Sequence, residues 1–146
     1  MAIENNVINY TKIDQNGEII VPKTSVIGES ESVLIRKEDY LTFSIYDLIE
    51  YKKILEKLKH ESEMALSCGN IKRKEFFDEY IKELSSGELD VIKKGSSNKV
   101  LIPNHVKDMY DIEDRVLMCD GVDHIKVFKN DEKKKEYEKR LINNLK

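Results

Sequence analysis

The sequence predicts an α+β protein made of two similar halves. Segments rich in β-branched and aromatic residues, bounded by turn residues, alternate with amphipathic segments of helical period. The order strand, turn, strand, proline, strand, strand, helix occurs twice along the 146 residues. Residues 19–22 (Ile-Ile-Val-Pro) correspond to residues 100–103 (Val-Leu-Ile-Pro), and Asp47 corresponds to Asn130 as a helix cap. An ordered series of such matches indicates a tandem duplication.

The first half is predicted to contain four strands. Residues 7–13 and 18–22 form one pair, because Asn16-Gly17 between them supplies the positive φ angles of a tight hairpin turn. Residues 32–36 and 41–46 form the second pair around a charged turn.

Two amphipathic helices are expected next. Asp47 is a suitable N-cap, with Glu50 three residues later, and the apolar stripe continues to about Cys68. The helix is expected to end near Gly69. A second helix follows over residues 71–84, and its buried face is predicted to hold Phe76, Phe77, Tyr80, Ile81 and Leu84.

The second half repeats this order. Its predicted strands are residues 89–92, 99–103, 115–119 and 124–128. Pro103 begins a short helix, and Asn130 caps a last helix with a buried stripe of Tyr137, Leu141 and Leu145. We therefore divide the chain into a first repeat (1–60), a helical connector (61–86) and a second repeat (87–146).

Composition limits the class of protein. Hydrophobic residues make up 40% and charged residues 36%, which is typical of a folded globular chain. No apolar run approaches the roughly 20 residues of a membrane span, and we expect no signal peptide and no membrane partner. Two distant cysteines, Cys68 and Cys119, without an export signal favour a cytoplasmic location.

Charge is unevenly distributed between the halves. Residues 1–90 carry 12 Lys and Arg against 18 Asp and Glu, a net of −6. Residues 91–146 carry 13 against 10, a net of +3, within a total of −3. Only the second half therefore offers a basic footprint, although a solvated, lysine-rich helix face gives the same count.

Residues 100–104 (Val-Leu-Ile-Pro-Asn) are followed by residues 116–118 (Val-Leu-Met) and 121–128 (Gly-Val-Asp-His-Ile-Lys-Val-Phe). Over nearly its whole length, and most clearly in these segments of the second half, the chain resembles the MraZ family of bacterial transcriptional regulators, which is related to the AbrB and MazE swapped-hairpin DNA binders. Residues 121–128 are similar to the family pattern G-x-x-D-H-I-E-I-W. The resemblance implies tandem swapped-hairpin (SpoVT/AbrB-like) β-barrel units, a ring-shaped homo-oligomer, and binding of repeated promoter sequences in double-stranded DNA. A nucleoid-associated location follows from that role.

The family's turn motif, Asp-x-x-x-Arg, is altered in both halves. The first turn reads Asp14-Gln15-Asn16-Gly17-Glu18, which keeps the acid and replaces the Arg by a Glu. The second turn reads Gly95-Ser96-Ser97-Asn98-Lys99, which lacks the acid and keeps a Lys cation. Lys cannot replace Arg where a bidentate contact to guanine or phosphate is needed.

The candidate DNA-binding residues lie around these turns. Lys93, Lys94 and Lys99 form the best cationic cluster, with Lys12 and Lys23 flanking the equivalent turn of the first half. Asn16 and Asn98 are candidates to contact base edges, or serve only as turn residues. The alternative for the lysines is a solvated hairpin edge, where Lys discourages aggregation. Asp14 is interpreted as structural, accepting hydrogen bonds from nearby backbone amides.

Catalytic and metal chemistry are not indicated. His60, His105 and His124 lack metal-ligand spacing, and neither cysteine lies in a Cys-x-x-Cys context. No glycine-rich phosphate loop or nucleophile elbow is present. We expect a protein that is not an enzyme and takes no cofactor. The alternative function is a protein–protein interaction module of the same fold without DNA binding; an antitoxin-like regulator is a third possibility, disfavoured by the capped C-terminal helix.

Overall fold

The computed structural model describes residues 7–145, which form an α+β fold. The elements in chain order are β1 (Val7–Lys12), β2 (Glu18–Ile20), β3 (Ser32–Lys37), β4 (Thr42–Asp47), α1 (Leu48–Ser67), α2 (Ile71–Ser86), β5 (Glu88–Lys93), β6 (Lys99–Leu101), α3 (Asn104–Met109), β7 (Arg115–Asp120), β8 (His124–Phe128) and α4 (Asp131–Asn144). The α+β class and the order of elements expected from the sequence are confirmed.

The strands form two antiparallel sheets. A six-stranded sheet has the order β1-β7-β8-β4-β3-β5, and β2 pairs with β6 in a separate two-stranded ribbon. The six-strand order is unchanged, apart from its direction, when each strand is exchanged for its counterpart in the other half. Backbone contacts repeat in the same way: Ile13 N donates to Asp114 O and Lys94 N to Glu31 O, both at 2.8 Å.

The sequence predicts that the strands on either side of each turn pair with each other, and this prediction is wrong. β1 pairs with β7 instead of β2, and β5 pairs with β3 instead of β6. Each returning arm pairs with the arm of the other half, extended by hydrogen bonds from Val21 N to Asn98 O (2.8 Å) and from Ile102 N to Gly17 O (2.9 Å). This pairing buries Ile19 and Val100, the central residues of the two arms, completely.

The expected β-barrel units are not found, since no closed barrel forms within residues 7–145. The six-stranded sheet ends at β1 on one side and β5 on the other. The arms that would continue each hairpin leave this sheet and pair with each other. The sheet therefore stays open, with the ribbon as a separate layer.

One hydrophobic core is built from both halves. Ile19 and Val21 of the first half pack in the same cluster as Val100 and Ile102 of the second, together with Phe43 of β4. The ring of Tyr110, which follows α3, lies 5.1 Å from that of Phe43. The two halves therefore share this core.

The two central helices begin and end close to their expected positions. Asp47 caps α1 by accepting a hydrogen bond from Glu50 N at 2.9 Å, as predicted. The predicted buried face of α2 is wrong, because α2 has no buried residue and Phe76 is 61% exposed. The physical reason is that α2 packs on α1 instead of across the sheet.

The last helix is also less buried than expected. Asn130 caps α4 by accepting from Lys133 N at 2.9 Å, and the Tyr137 ring packs 5.5 Å from that of Phe128. Leu141 is 46% exposed and Leu145 is 87% exposed, so the predicted buried stripe is restricted to Tyr137. Contacts of α4 with the sheet are made by its earlier turns, and the last turn faces outward.

Candidate nucleic-acid interface

The ribbon of β2 and β6 has one predicted turn at each end, because the two strands are antiparallel and each follows its turn. Because side chains alternate along a strand, the residues flanking buried Ile19 and Val100 face outward. These outward residues are Glu18, Ile20, Lys99 and Leu101, and register places Ile20 opposite Lys99. We call residues 12–18 and 93–99, with the outward face of the ribbon, the turn surface.

The first turn is organised by Asp14. Its Oδ1 accepts hydrogen bonds from Asn16 N (2.8 Å) and Glu18 N (3.0 Å), which confirms the structural role inferred from the sequence. The amide of Glu18, with a smaller contribution from that of Asn16, holds the pKa of Asp14 below its ordinary value. Gly17 has a φ of +82°, the left-handed conformation that the Asn-Gly pair predicts.

The second turn places its cation against this carboxylate. Gly95 has a φ of +65°, and Ser97 Oγ accepts from Lys99 N at 3.0 Å. The Lys99 Nζ atom lies 3.8 Å from Asp14 Oδ2. An acid from the first half and a cation from the second therefore form one exposed ion pair across the ribbon.

Lys94 does not belong to the exposed cationic cluster that the sequence predicts. Its side chain is buried, and Nζ donates to Gly28 O at 2.9 Å and to Ser30 O at 3.0 Å. It occupies the position that Ile13 has in the first half, where the side chain packs against the core. The amine points inward because it is held by two loop carbonyls, and it does not reach the surface that DNA would contact.

Lys12 and Lys93 are both exposed, at equivalent positions immediately before the two turns. Arg115 lies opposite Lys12 in the β1–β7 pair, and its guanidinium stacks 4.7 Å from the Tyr10 ring centroid. Lys107 also reaches this area, since its Nζ is 3.6 Å from where a Cβ on Gly17 would lie. Sequence reasoning missed both cations, because long-range pairing and not local spacing brings them to the turns.

Lys23 and the two asparagines differ in their surroundings. Lys23 borders a shallow depression together with Glu29, Asp47 and Glu50, so three carboxylates share its surroundings. Asn16 is exposed on the first turn, whereas Asn98 is half-buried and its backbone carbonyl is used by Val21 N. Of the predicted contacts, Lys12, Lys93, Lys99 and Asn16 are therefore exposed at the turn surface.

No group of three His, Cys, Asp or Glu side chains within residues 7–145 is arranged to hold a metal ion. His105 and His124 lie beside different carboxylates, Asp90 at 3.9 Å and Asp123 at 2.6 Å. Among the same residues, no helix combines the length and the hydropathy that crossing a bilayer requires.

In comparisons with known proteins, the sequence matches no protein-family model and no curated protein at a significant level.

Proposed function

We propose that this chain is a DNA-binding transcriptional regulator of the swapped-hairpin type, resembling MraZ, that contacts double-stranded DNA through the turn surface. The observation that carries the proposal is the pairing of β2 with β6. It connects the turns of both halves through one ribbon, and Lys12, Lys93 and Lys99 are exposed at or beside those turns. Exposed lysines at loop tips suit contacts with phosphates, which supply most of the affinity of such proteins.

The Asp14–Lys99 pair supports the resemblance. The family motif combines an acid and a cation within each turn, whereas each turn here keeps one of the two. The 3.8 Å approach of Asp14 and Lys99 restores the combination across the halves. A single lysine acts on phosphate as a point charge, so we expect weaker discrimination between sequences than an arginine fork provides. Arg115 beside Lys12 is the guanidinium available nearby.

We further propose that several copies bind together, as a homo-oligomer that is nucleoid-associated in the cytoplasm. One copy offers few exposed cations at the turn surface, and the chain has a net charge of −3. Several weak contacts to repeated sites multiply in effect when the copies are joined. A ring, as the resemblance implies, would present one turn surface per copy to successive repeats.

Fluorescence anisotropy tests this proposal. The full chain is titrated into labelled duplex taken from upstream of its own gene, at several salt concentrations, with a scrambled duplex for comparison. We expect saturable binding that prefers the native duplex and weakens steeply with salt. The triple variant Lys12→Ala/Lys93→Ala/Lys99→Ala should bind at least about tenfold more weakly and show a smaller salt slope.

The matched control is Lys57→Ala/Lys59→Ala/Lys72→Ala, which removes the same charge from exposed positions on α1 and α2. It should retain most of the affinity. Equal losses in the two triple variants would mean that binding follows total charge and not the turn surface. Absence of binding at low salt, from protein that is folded, would overturn the proposal.

A second candidate function is the protein–protein interaction module. It is favoured by the outward face of the ribbon, where Glu18, Ile20 and Leu101 surround the single cation Lys99. A partly aliphatic surface with one acid beside one cation suits a protein partner better than phosphate. Co-purification from cell extract with and without nuclease distinguishes the two: a partner that survives nuclease and is lost with Glu18→Lys supports the module.

A further inference from the structure

The helix α2 has an outer face that no other element within residues 7–145 covers. Phe76 is 61% exposed and Tyr80 is 46% exposed, and residues four positions apart lie on the same side of a helix. The opposite side of α2 contacts α1, where Ser62 Oγ donates to Asp78 Oδ1 at 2.5 Å. The outer face of α2 is defined by five exposed residues that share this side of the helix: Lys72, Phe76, Glu79, Tyr80 and Glu83.

The two aromatic rings on this face are already held by their neighbours. The Phe76 ring lies edge-on to the ring of half-buried Phe77, with the centroids 5.4 Å apart, and to that of Tyr80, at 6.3 Å. Rings held in this way lose little conformational entropy when a partner covers them, and aromatic side chains are enriched at the centres of protein interfaces. The pair therefore suits contact with another protein surface.

Charge along α2 runs in the opposite order to the one that a single helix favours. Residues 72–74 carry three cations and no acid, whereas residues 75–86 carry four acids and one Lys. The positive end of the helix dipole lies at the N-terminus, so cations there and acids further along destabilise an isolated helix. A neighbouring antiparallel helix that places acids beside residues 72–74 compensates this cost.

The helix α1 compensates only the side of α2 that it contacts. Arg73 Nη2 lies 3.8 Å from Glu61 Oε2 of α1. On the outer face, Lys72 and Glu83 are exposed, and neither forms a salt bridge with any residue between 7 and 145. They stand eleven positions apart, roughly 16 Å along the helix, so they do not reach each other. Compensation on the outer face therefore needs another helix.

A second copy of α2 has the charges that this face needs. A two-fold interface brings the same patch of both copies together, so the patch must be complementary to itself. When two α2 helices run antiparallel about an axis midway between Phe76 and Tyr80, each Phe76 lies opposite the Tyr80 of the other copy. Lys72 precedes Phe76 by four residues, and Glu83 follows Tyr80 by three. Lys72 of each copy therefore comes beside Glu83 of the other, on the same side of the aromatic rings.

We propose that the outer face of α2 binds the same face of a second copy of this chain. Phe76 and Tyr80 form the centre of the contact, and a Lys72–Glu83 pair closes it at each end. The proposal deepens the homo-oligomer of the proposed function; it rests on that part of the function and not on DNA contact, since α2 shares no residue with the turn surface. A two-fold contact closes after two copies, so a ring needs a second, different contact.

The size of the contact sets its strength. Four aromatic rings, each about half exposed, bury roughly 300 to 500 Å² between them. Stable interfaces bury about 1,200 Å² or more, so the rings need the stems of the charged residues around them and give a weak, reversible dimer. We expect a Kd on the order of 10 µM for this contact.

Sedimentation velocity of the full chain without DNA tests the contact. The average mass should rise towards at least two copies between about 1 and 100 µM. Phe76→Ser/Tyr80→Ser removes both rings from exposed positions and should raise the Kd at least about tenfold. The matched control is Ile142→Ser/Leu145→Ser, which removes two apolar side chains that are 57% and 87% exposed on α4 and should leave the Kd unchanged.

Charge reversal tests the antiparallel arrangement. Lys72→Glu and Glu83→Lys each place like charges together at both ends of the dimer, so each alone should raise the Kd about tenfold. An equimolar mixture of the two variants should dimerise again, because every pair in the mixed dimer joins opposite charges. Neutralising Lys72 removes only exposed pairs and changes the Kd little, which is why reversal is used. The control mixture is Lys59→Glu with Glu63→Lys, at exposed positions on α1, and it should match the wild type.

The outcomes separate this proposal from the others. A wild-type chain that stays as one copy up to 100 µM would overturn both the α2 contact and the homo-oligomer. Oligomers that persist unchanged in Phe76→Ser/Tyr80→Ser, or a mixture of reversed charges that fails to dimerise, would overturn the α2 contact alone. Dimers that form as expected but bind no DNA would overturn only the DNA contact.

Discussion

The Lys94 amine donates to the carbonyl oxygen of Gly28 at 2.9 Å inside the protein. A second bond, to Ser30 O at 3.0 Å, completes its contacts with the loop between β2 and β3. The backbone at this loop is closely packed, because a Cβ on Gly28 would lie 2.1 Å from Lys23 O. Lys94 therefore links the β2–β3 loop of the first half to the turn of the second half by hydrogen bonds.

Replacing Lys94 tests this role directly. Lys94→Met keeps the length of the side chain but removes the donor, which leaves two buried carbonyls unpaired. We expect a loss of about 1 to 3 kcal/mol in the free energy of unfolding, measured by urea denaturation. The neighbouring exposed residue is the matched control: Lys93→Met should change stability by less than about 0.5 kcal/mol. Equal effects of the two substitutions would contradict the buried position of Lys94.

Arg36 joins the end of α2 to the sheet. Its Nε donates to Leu84 O (2.9 Å), Nη2 donates to Glu83 O (3.1 Å), and Nη1 pairs with Glu38 (2.8 Å). Arg36→Lys cannot make these three contacts together, so we expect a loss of roughly 1 to 3 kcal/mol.

Hydrogen exchange should report the same change locally. Amides in the last turn of α2 should exchange faster in Arg36→Lys, because those carbonyls lose their buried donor. Arg73→Lys is the control, since Arg73 is exposed and lies 3.8 Å from Glu61. Unchanged protection of α2 in Arg36→Lys would show that α1 alone holds the helix.

The first turn depends on the acceptor of Asp14 more than on its charge. Asp14→Ala removes the acceptor for Asn16 N and Glu18 N and should cost about 1 kcal/mol of unfolding free energy. Asp14→Asn keeps a carbonyl oxygen there and loses only the exposed pair with Lys99, so its effect should stay below about 0.5 kcal/mol. The two variants are compared by thermal unfolding, and a larger loss in Asp14→Asn would make the ion pair the main contribution.

Stability should fall at acidic pH through three surface carboxyls. Hydrogen bonds from Lys74 to Asp78 and from Lys129 to Asp111, like those of the Glu18 and Asn16 amides to Asp14, lower the pKa of each acid from its ordinary 3.8. A lowered folded-state pKa means that the contribution is present above pH 3.8 and is lost as pH falls through the lower, folded value. In Asp78→Asn, the free energy of unfolding should fall less steeply with decreasing pH than in the wild type, as measured by unfolding curves recorded across that range. An equally steep fall in the variant and the wild type would mean that Asp78 does not contribute to the loss of stability at acidic pH.

The two cysteines should differ in reactivity. Cys68 is exposed at the end of α1, whereas Cys119 is buried in β7 and burial raises its pKa to about 11. Because the thiolate is the reactive form, one thiol per chain should react quickly near pH 8 and the second only on unfolding. Cys68→Ser should abolish the fast phase. A fast phase that remains in this variant would show that Cys119 is accessible.

Local patterns in the sequence predicted the elements and their ends. Asp47 and Asn130 cap the helices that they were expected to cap, and Gly17 adopts the conformation expected of an Asn-Gly turn. These features depend on residues within a few positions of one another. Their hydrogen bonds and φ preferences are therefore encoded by short stretches of chain.

The burial of helix faces was less predictable. Phe76 in α2 and Leu141 in α4 lie at helical spacing, yet both are exposed. An apolar stripe shows which side of a helix can be buried, but a neighbouring element must be there to bury it. That depends on where the chain places α1 and the sheet.

The sequence by itself determined the class, the order of elements and the correspondence of the two halves in sequence. Only the tertiary structure decided that β2 pairs with β6 and that Lys94 points inward while Lys99 meets Asp14. These contacts join residues far apart in the chain. They form because pairing the two arms buries Ile19 and Val100 in one core, a free-energy gain that no local stretch contains.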